Sequence, residues 1–84
     1  MSDVDKQPVL LFASLRDRAG QSAIDVQFSG GTVAELRDAI AAQYPVLSDG
    51  LATSRIAVDH EFREDGDAIP AGAEVAVIPP VSGG

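Results

Sequence analysis

The chain has no cysteine, no tryptophan, one histidine, one methionine and only six lysines and arginines among its 84 residues. Each shortage closes off some chemistry. Without cysteine there is no disulfide framework, no thiolate zinc or iron–sulfur site and no cysteine nucleophile. His60 alone cannot supply a histidine cluster, and no metal site is expected. Thirteen Asp and Glu against six Lys and Arg leave a formal net charge of -7. That balance argues against nucleic acid, whose phosphates call for clustered cations, and against anionic membrane surfaces. A basic protein surface suits it better as a partner. The apolar runs are a handful of residues long, far short of the ~20 needed to span a bilayer. Met1–Gln7 is polar and acidic, with no apolar signal core, so a cytoplasmic protein is expected.

What is present suffices for one small globular domain, with 45% hydrophobic and 23% charged residues. A chain of this length buries only about 60–65% of the surface its unfolded form exposes. There is little room for a deep pocket made of its own atoms, so chemistry belongs on the surface or at an end.

Two segments are apolar on both alternating faces, Pro8–Ser14 (PVLLFAS) and Glu74–Ile78 (EVAVI). This is the pattern of central strands, although periodicity alone does not exclude a short buried helix in the first. Leu15–Gly20 is charged and closes on glycine, as a single helical turn or a loop would. Ser22–Phe28 alternates, with Ile24, Val26 and Phe28 on one side, and Gly30-Gly31 ends it. A helix begins at Thr32, where Thr32 and Glu35 form a capping box, and Val33, Leu36, Ile40 and Tyr44 recur on one face until Pro45. The stretch from Val46 to Ser54 reads as irregular. Arg55–Asp59 is a short strand with Ile56 and Val58 inward, and His60–Gly66 is a turn with room for a brief strand.

The order strand, strand, helix, strand, short strand, strand, with first and last strands adjacent and parallel, predicts an α+β ubiquitin-like β-grasp. It has a mixed sheet of four to five strands and one main helix on one face. The expected divisions are a flexible extension at 1–7, the β-grasp domain at 8–79 and an extended tail at 80–84. A single helix leaves the other sheet face partly open, and Phe12 or Phe62 there would form an apolar patch for a partner.

Conventional catalytic groupings come out poorly. Asp59, Glu61, Glu64, Asp65 and Asp67 lack calcium-loop spacing and read as a solvated acidic turn. His60 reads as a lone surface histidine. Gly30-Gly31 lacks the lysine and spacing of a phosphate loop.

The C-terminus is different. Pro79 and Pro80 direct the chain away from the domain, Val81 and Ser82 continue it, and Gly83 and Gly84 remove every side chain beside the terminal carboxylate. Such a tail can thread a narrow tunnel in another protein. A free α-carboxyl titrates at about 3.3–3.7 and is a poor electrophile when ionised. Joined to AMP it becomes a mixed anhydride with a good leaving group, from which a sulfur donor can make a thiocarboxylate.

Phe12-Ala13-Ser14-Leu15-Arg16, Thr32-Val33-Ala34-Glu35-Leu36-Arg37 and the ending from Glu74 to Gly84 resemble the small subunits of molybdopterin synthases, over about Val9–Gly84. The resemblance implies a sulfur carrier that is not itself the catalyst. Gly84 would be adenylated by a ubiquitin-activating-like adenylyltransferase using ATP, thiocarboxylated by a sulfur donor system, and inserted with Pro79–Gly83 into the large synthase subunit. Two such sulfurs would convert cyclic pyranopterin monophosphate into a dithiolene. No cofactor would be bound permanently. The resemblance places Phe12, Phe62 and Ile78 on the apolar partner surface, with Arg16 as a polar contact at its edge. The Asp59 position commonly holds Asn in that family. The alternatives are a carrier for thiamine, cysteine or thiolated-tRNA synthesis, a modifier attached to lysines, or an interaction module with an incidental Gly-Gly.

Overall fold

The computed structural model describes residues 5–80. In chain order these form β1 (Lys6–Leu11), α1 (Ala13–Ala19), β2 (Ala23–Gln27), β3 (Gly31–Thr32), α2 (Val33–Gln43), a 3₁₀ turn at Pro45–Leu47, α3 (Ser48–Leu51), β4 (Arg55–Val58), β5 (Glu61–Arg63), β6 (Ala68–Ile69) and β7 (Val75–Ile78). Five strands make one mixed sheet in the order β2-β1-β7-β4-β5, and β3 and β6 pair as a separate two-stranded ribbon.

The two doubly apolar segments are neighbours at the centre of the sheet. They run parallel, with Val9 opposite Val75, Leu10 opposite Ala76 and Leu11 opposite Val77. Parallel neighbours need a crossover, which the intervening helices supply on one face. Alternation then divides the strands. Val9, Leu11, Ile24, Ile56, Val75 and Val77 are buried, and Val33, Leu36 and Ile40 of α2 pack over them in one core. This is the ubiquitin-like β-grasp expected from the sequence.

The start of α2 is fully satisfied. The Glu35 N–H donates to the Thr32 hydroxyl oxygen (3.3 Å), and the Thr32 N–H donates to the Glu35 carboxylate (2.8 Å). The next two free N–H groups, those of Val33 and Ala34, donate to the carbonyls of Asp67 and Asp65. Gly31 stands directly against this box. Its φ is +147°, and a Cβ placed there would fall on the Glu35 carboxylate. Gly31→Ala therefore strains the backbone and breaks the cap together. Each effect is of order 1 kcal/mol or more, so Tm should fall by roughly 5–15 °C for a domain of this size. A thermal melt that matched the wild type would contradict this account of the helix start.

The structure differs from the sequence reading in four places. β1 stops at Leu11 instead of continuing to Ser14, because Ala13 turns with φ +52° and opens α1, a seven-residue helix where a single helical turn or a loop was expected. The strand also begins at Lys6, two residues inside the expected extension. Gln7 is buried, and its side-chain amide donates to the carbonyl of Ala73 at 3.0 Å, tying β1 to the approach to β7. The stretch read as irregular after Pro45 is helical through Leu51, with Leu47 and Leu51 buried. Arg37 holds it by donating to the Leu51 carbonyl at 2.6 Å. Three helical segments and the 3₁₀ turn thus accompany the sheet, where one main helix was expected. Among the described residues, no helix is long and apolar enough to cross a membrane.

Candidate functional site

Helices cover one face of the sheet, and the register decides what lies on the other. Leu10 on β1, Ala76 on β7, Ala57 on β4 and Phe62 on β5 stand opposite one another in a row across four strands. The two middle positions are alanines and the outer two are large, so the row forms a trough. Phe12 just beyond β1 and Ile78 at the end of β7 extend its walls, enclosing an open apolar groove of about 290 Å³. Phe12 is 44% exposed and Phe62 49%. Large aromatic surfaces left in water around a shallow groove make it a candidate site, since their burial on contact with another molecule is favourable.

Arg55 steadies one wall. It stands opposite Ile78 in the β4–β7 ladder, and its guanidinium carbon lies 4.0 Å from the centre of the Phe62 ring. This is a cation–π contact, and it fixes the ring at the rim.

The other rim is a strained hairpin. Val58 pairs with Glu61, so β4 and β5 are joined by the two-residue turn Asp59-His60, and both residues have positive φ, +52° and +71°. Two-residue hairpins of this hand favour Asn-Gly because most other side chains disfavour that backbone. Asp59 is tied down on both sides. Its N–H donates to the Glu74 carbonyl (2.8 Å), and its carboxylate accepts the Glu74 N–H (2.9 Å). His60 is exposed, with Nε2 3.5 Å from a Glu74 carboxylate oxygen. So little holds the imidazole that His60→Gly should relieve the turn and raise stability by about 0.5–1.5 kcal/mol, read as a Tm gain of a few degrees. An unchanged or lower Tm would mean that His60 makes a compensating contact.

Phe12, Phe62 and Ile78, three residues singled out in the sequence, are thus brought together on one groove. Arg16 is not among its lining residues. It is exposed on α1, where its N–H bonds the Phe12 carbonyl (3.4 Å). Pro79 is buried, Pro80 is exposed, and Val81, Ser82, Gly83 and Gly84 lie outside the described residues. β7 therefore runs along the groove, with Ala76 on its floor and Ile78 in its wall, and is followed by Pro79 and Pro80. Leu10, Ala57, Ala76 and Arg55 were not picked out from the sequence. The signal for Leu10 and Ala76 was the second apolar phase of the central strands, which reads equally well as core, and Ala57 and Arg55 on β4 carried none.

The acidic run has structural duties. Asp65 bonds the Arg37 guanidinium at 2.9 Å, Glu61 pairs with Arg63 at 2.9 Å, and Asp67 accepts the N–H of Glu64. Among the described residues, no three His, Cys, Asp or Glu side chains are grouped so as to hold a metal ion.

A β-grasp domain with a one-sided helix layer and an open apolar groove on the other sheet face is a ubiquitin-like protein. The ThiS family model matches residues 9–84, and the chain belongs to the ThiS family. It is 38% identical over 79 residues to the molybdopterin synthase sulfur carrier subunit of Caenorhabditis briggsae, covering 90% of this chain and 94% of that one. It is 35% identical over 80 residues to the protein of the same name in Dictyostelium discoideum, covering 90% and 93%. Among solved structures it resembles small archaeal modifier protein 1 of Haloferax volcanii, with a TM-score of 0.82 and 29% identity over 95% of this chain and 100% of that one.

Proposed function

We propose that this chain is the sulfur carrier subunit of a molybdopterin synthase, with the α-carboxylate of Gly84 as its reacting group. The carboxylate oxygen attacks the α-phosphorus of ATP and releases pyrophosphate, giving an acyl adenylate. Hydrosulfide-level sulfur from a donor system then adds to the acyl carbon and expels AMP, leaving a thiocarboxylate. Its sulfur becomes the nucleophile that enters cyclic pyranopterin monophosphate, two carrier turnovers supplying the two sulfurs of the dithiolene. ATP belongs to the activating enzyme, and no cofactor stays on this chain. None of these steps draws on a side chain of this domain, in keeping with a sequence that has no cysteine and one histidine.

The observation that supports this reading is that the groove ends at the strand leading into Pro79 and Pro80. Ile78 is both a groove wall and the last residue of β7, with Pro79 directly following. A large synthase subunit that seats Phe12, Phe62 and Ile78 receives Pro79–Gly84 at the same time. The activating enzyme would use the same surface to orient the tail toward ATP, so the two partners would bind in turn.

The pathway is tested by co-expression with candidate large subunits. A stable one-to-one association with a molybdopterin synthase large subunit, and none with a thiazole synthase, is the expected result. The reverse would assign the carrier to another sulfur pathway. The likeness to an archaeal modifier favours a second reading in which the same activated terminus is passed to lysines. Isopeptide-linked conjugates of this chain in its own cells would support that reading.

A further inference from the structure

β2 is an outer strand of the main sheet. The N–H of Leu11 bonds the Ser22 carbonyl and the N–H of Phe28 bonds the Asp5 carbonyl, so even-numbered residues of this segment face β1. Ala23, Asp25 and Gln27 therefore turn their backbone groups outward. Such an edge is a template for pairing with another chain, and native proteins blunt it. Here the end of α2 lies against it. The Gln43 side chain accepts the Gln27 N–H through Oε1 at 2.8 Å and donates from Nε2 to the Gln27 carbonyl at 3.0 Å. One side-chain amide thus takes both backbone groups of one residue, as a residue of a neighbouring strand would. The Tyr44 hydroxyl donates to the Asp25 carbonyl at 2.8 Å. Both side chains are positioned by the helix stop, because Pro45 ends α2 at Gln43 and Tyr44 leaves the helix with φ -131° and ψ 72°. Among the described residues, nothing bonds the N–H of Ala23 or of Asp25.

We propose that Gln43 and Tyr44 form a lock on the β2 edge that prevents this domain from pairing strand to strand with a second copy of itself. A segment that presents the same edge in two copies can pair antiparallel about a two-fold axis, and the closed dimer is the natural product of an open edge. Asp25 adds a second safeguard, since a two-fold pairing centred on it would bring two carboxylates together. The lock keeps the carrier a monomer, with groove and tail free, and it acts on a part of the molecule that the sulfur chemistry does not use.

Two measurements test it. Amide hydrogen exchange on the wild type should show the Gln27 N–H protected at least about tenfold more than that of Asp25 on the same edge, a difference that Gln43→Ala removes. Equal exchange at both positions would overturn the lock without reference to any variant's folding. For self-association, Asp25→Asn should remain a monomer in sedimentation velocity because the lock is intact. Asp25→Asn combined with Gln43→Ala and Tyr44→Phe should shift toward dimer with rising concentration. Tyr44→Phe keeps the ring that packs on the core and deletes only the hydroxyl. A folded triple variant that stays monomeric throughout would refute the proposal, whatever the tail does.

Discussion

Adding one residue after Gly84 should abolish sulfur delivery to the pterin substrate in a reconstituted synthase, while Tm and the circular dichroism spectrum should stay at wild-type values. A complete loss is expected because, in the proposed function, the reacting group is the α-carboxylate itself. An added residue moves the only free carboxylate at that end one position outward and converts the Gly84 carbonyl into an amide, which displaces nothing from ATP. It also places a side chain where two glycines leave none, so a close-fitting channel would reject it on shape as well. Folding should be unaffected because Val75 and Val77 are the last residues of the hydrophobic core among the described residues. Deleting Gly84 should have the same outcome by shortening the reach, and restoring the exact ending by proteolytic trimming of the extended chain should restore delivery. Full delivery by the untrimmed, extended protein would show that the terminus is not the reacting group.

Truncating the groove aromatics has the next largest effect. Phe12→Ala and Phe62→Ala should each weaken association with the large synthase subunit by about 2 kcal/mol, roughly 30-fold, as expected for aromatic anchors seated at the centre of an interface. Both side chains are about half exposed in the isolated domain, so each variant should melt within a few degrees of the wild type. Ala76→Arg should be more severe, because it fills the floor of the trough with a bulky charge that the partner would have to desolvate. Val46 is the control. It is the most exposed large apolar residue among the described residues at 55%, but it sits in the 3₁₀ turn beside the helices, away from the groove. Val46→Ala should leave binding unchanged. Equal losses at Val46 and Phe62 would mean that general hydrophobicity, and not the groove, drives the association.

The parts of this molecule that rest on local chemistry were legible in the sequence. The Thr32–Glu35 capping box and the spacing of Val33, Leu36 and Ile40 place α2 where it is found. The second apolar phase of β1 and β7 places those strands at the centre of the sheet. The parts that depend on distant partners were not. Gly31-Thr32 and Ala68-Ile69 form a ribbon because each supplies the other, and two residues are too few for the alternation that marks a strand in the sequence. Ser48–Leu51 holds a glycine and an aspartate and has poor helix propensity. It is helical because Leu47 and Leu51 are buried and Arg37 reaches its last carbonyl. Lys6 and Gln7 look like an unstructured approach until the Gln7 amide meets Ala73, 66 residues away.

The groove was half legible for a related reason. Phe12, Phe62 and Ile78 attract notice as large apolar residues. Ala57 and Ala76 do not, although the trough exists because they are small. Their meaning comes from the register, which sets both alanines in one row between Leu10 and Phe62. The strain at Asp59-His60 was equally hidden, since the need for positive φ there arises from the pairing of Val58 with Glu61.

The central claim, that this acidic, cysteine-free domain carries sulfur on its own terminus, is tested most directly by intact-mass measurement. The purified chain is incubated with the activating enzyme, ATP and a sulfide donor, alongside a Gly84-deleted control. The account predicts a gain corresponding to one oxygen replaced by sulfur, localised to the C-terminal peptide, dependent on ATP and absent from the control. An unchanged mass with an enzyme shown to form the acyl adenylate on this chain, or an equal gain in the Gly84-deleted control, would contradict it.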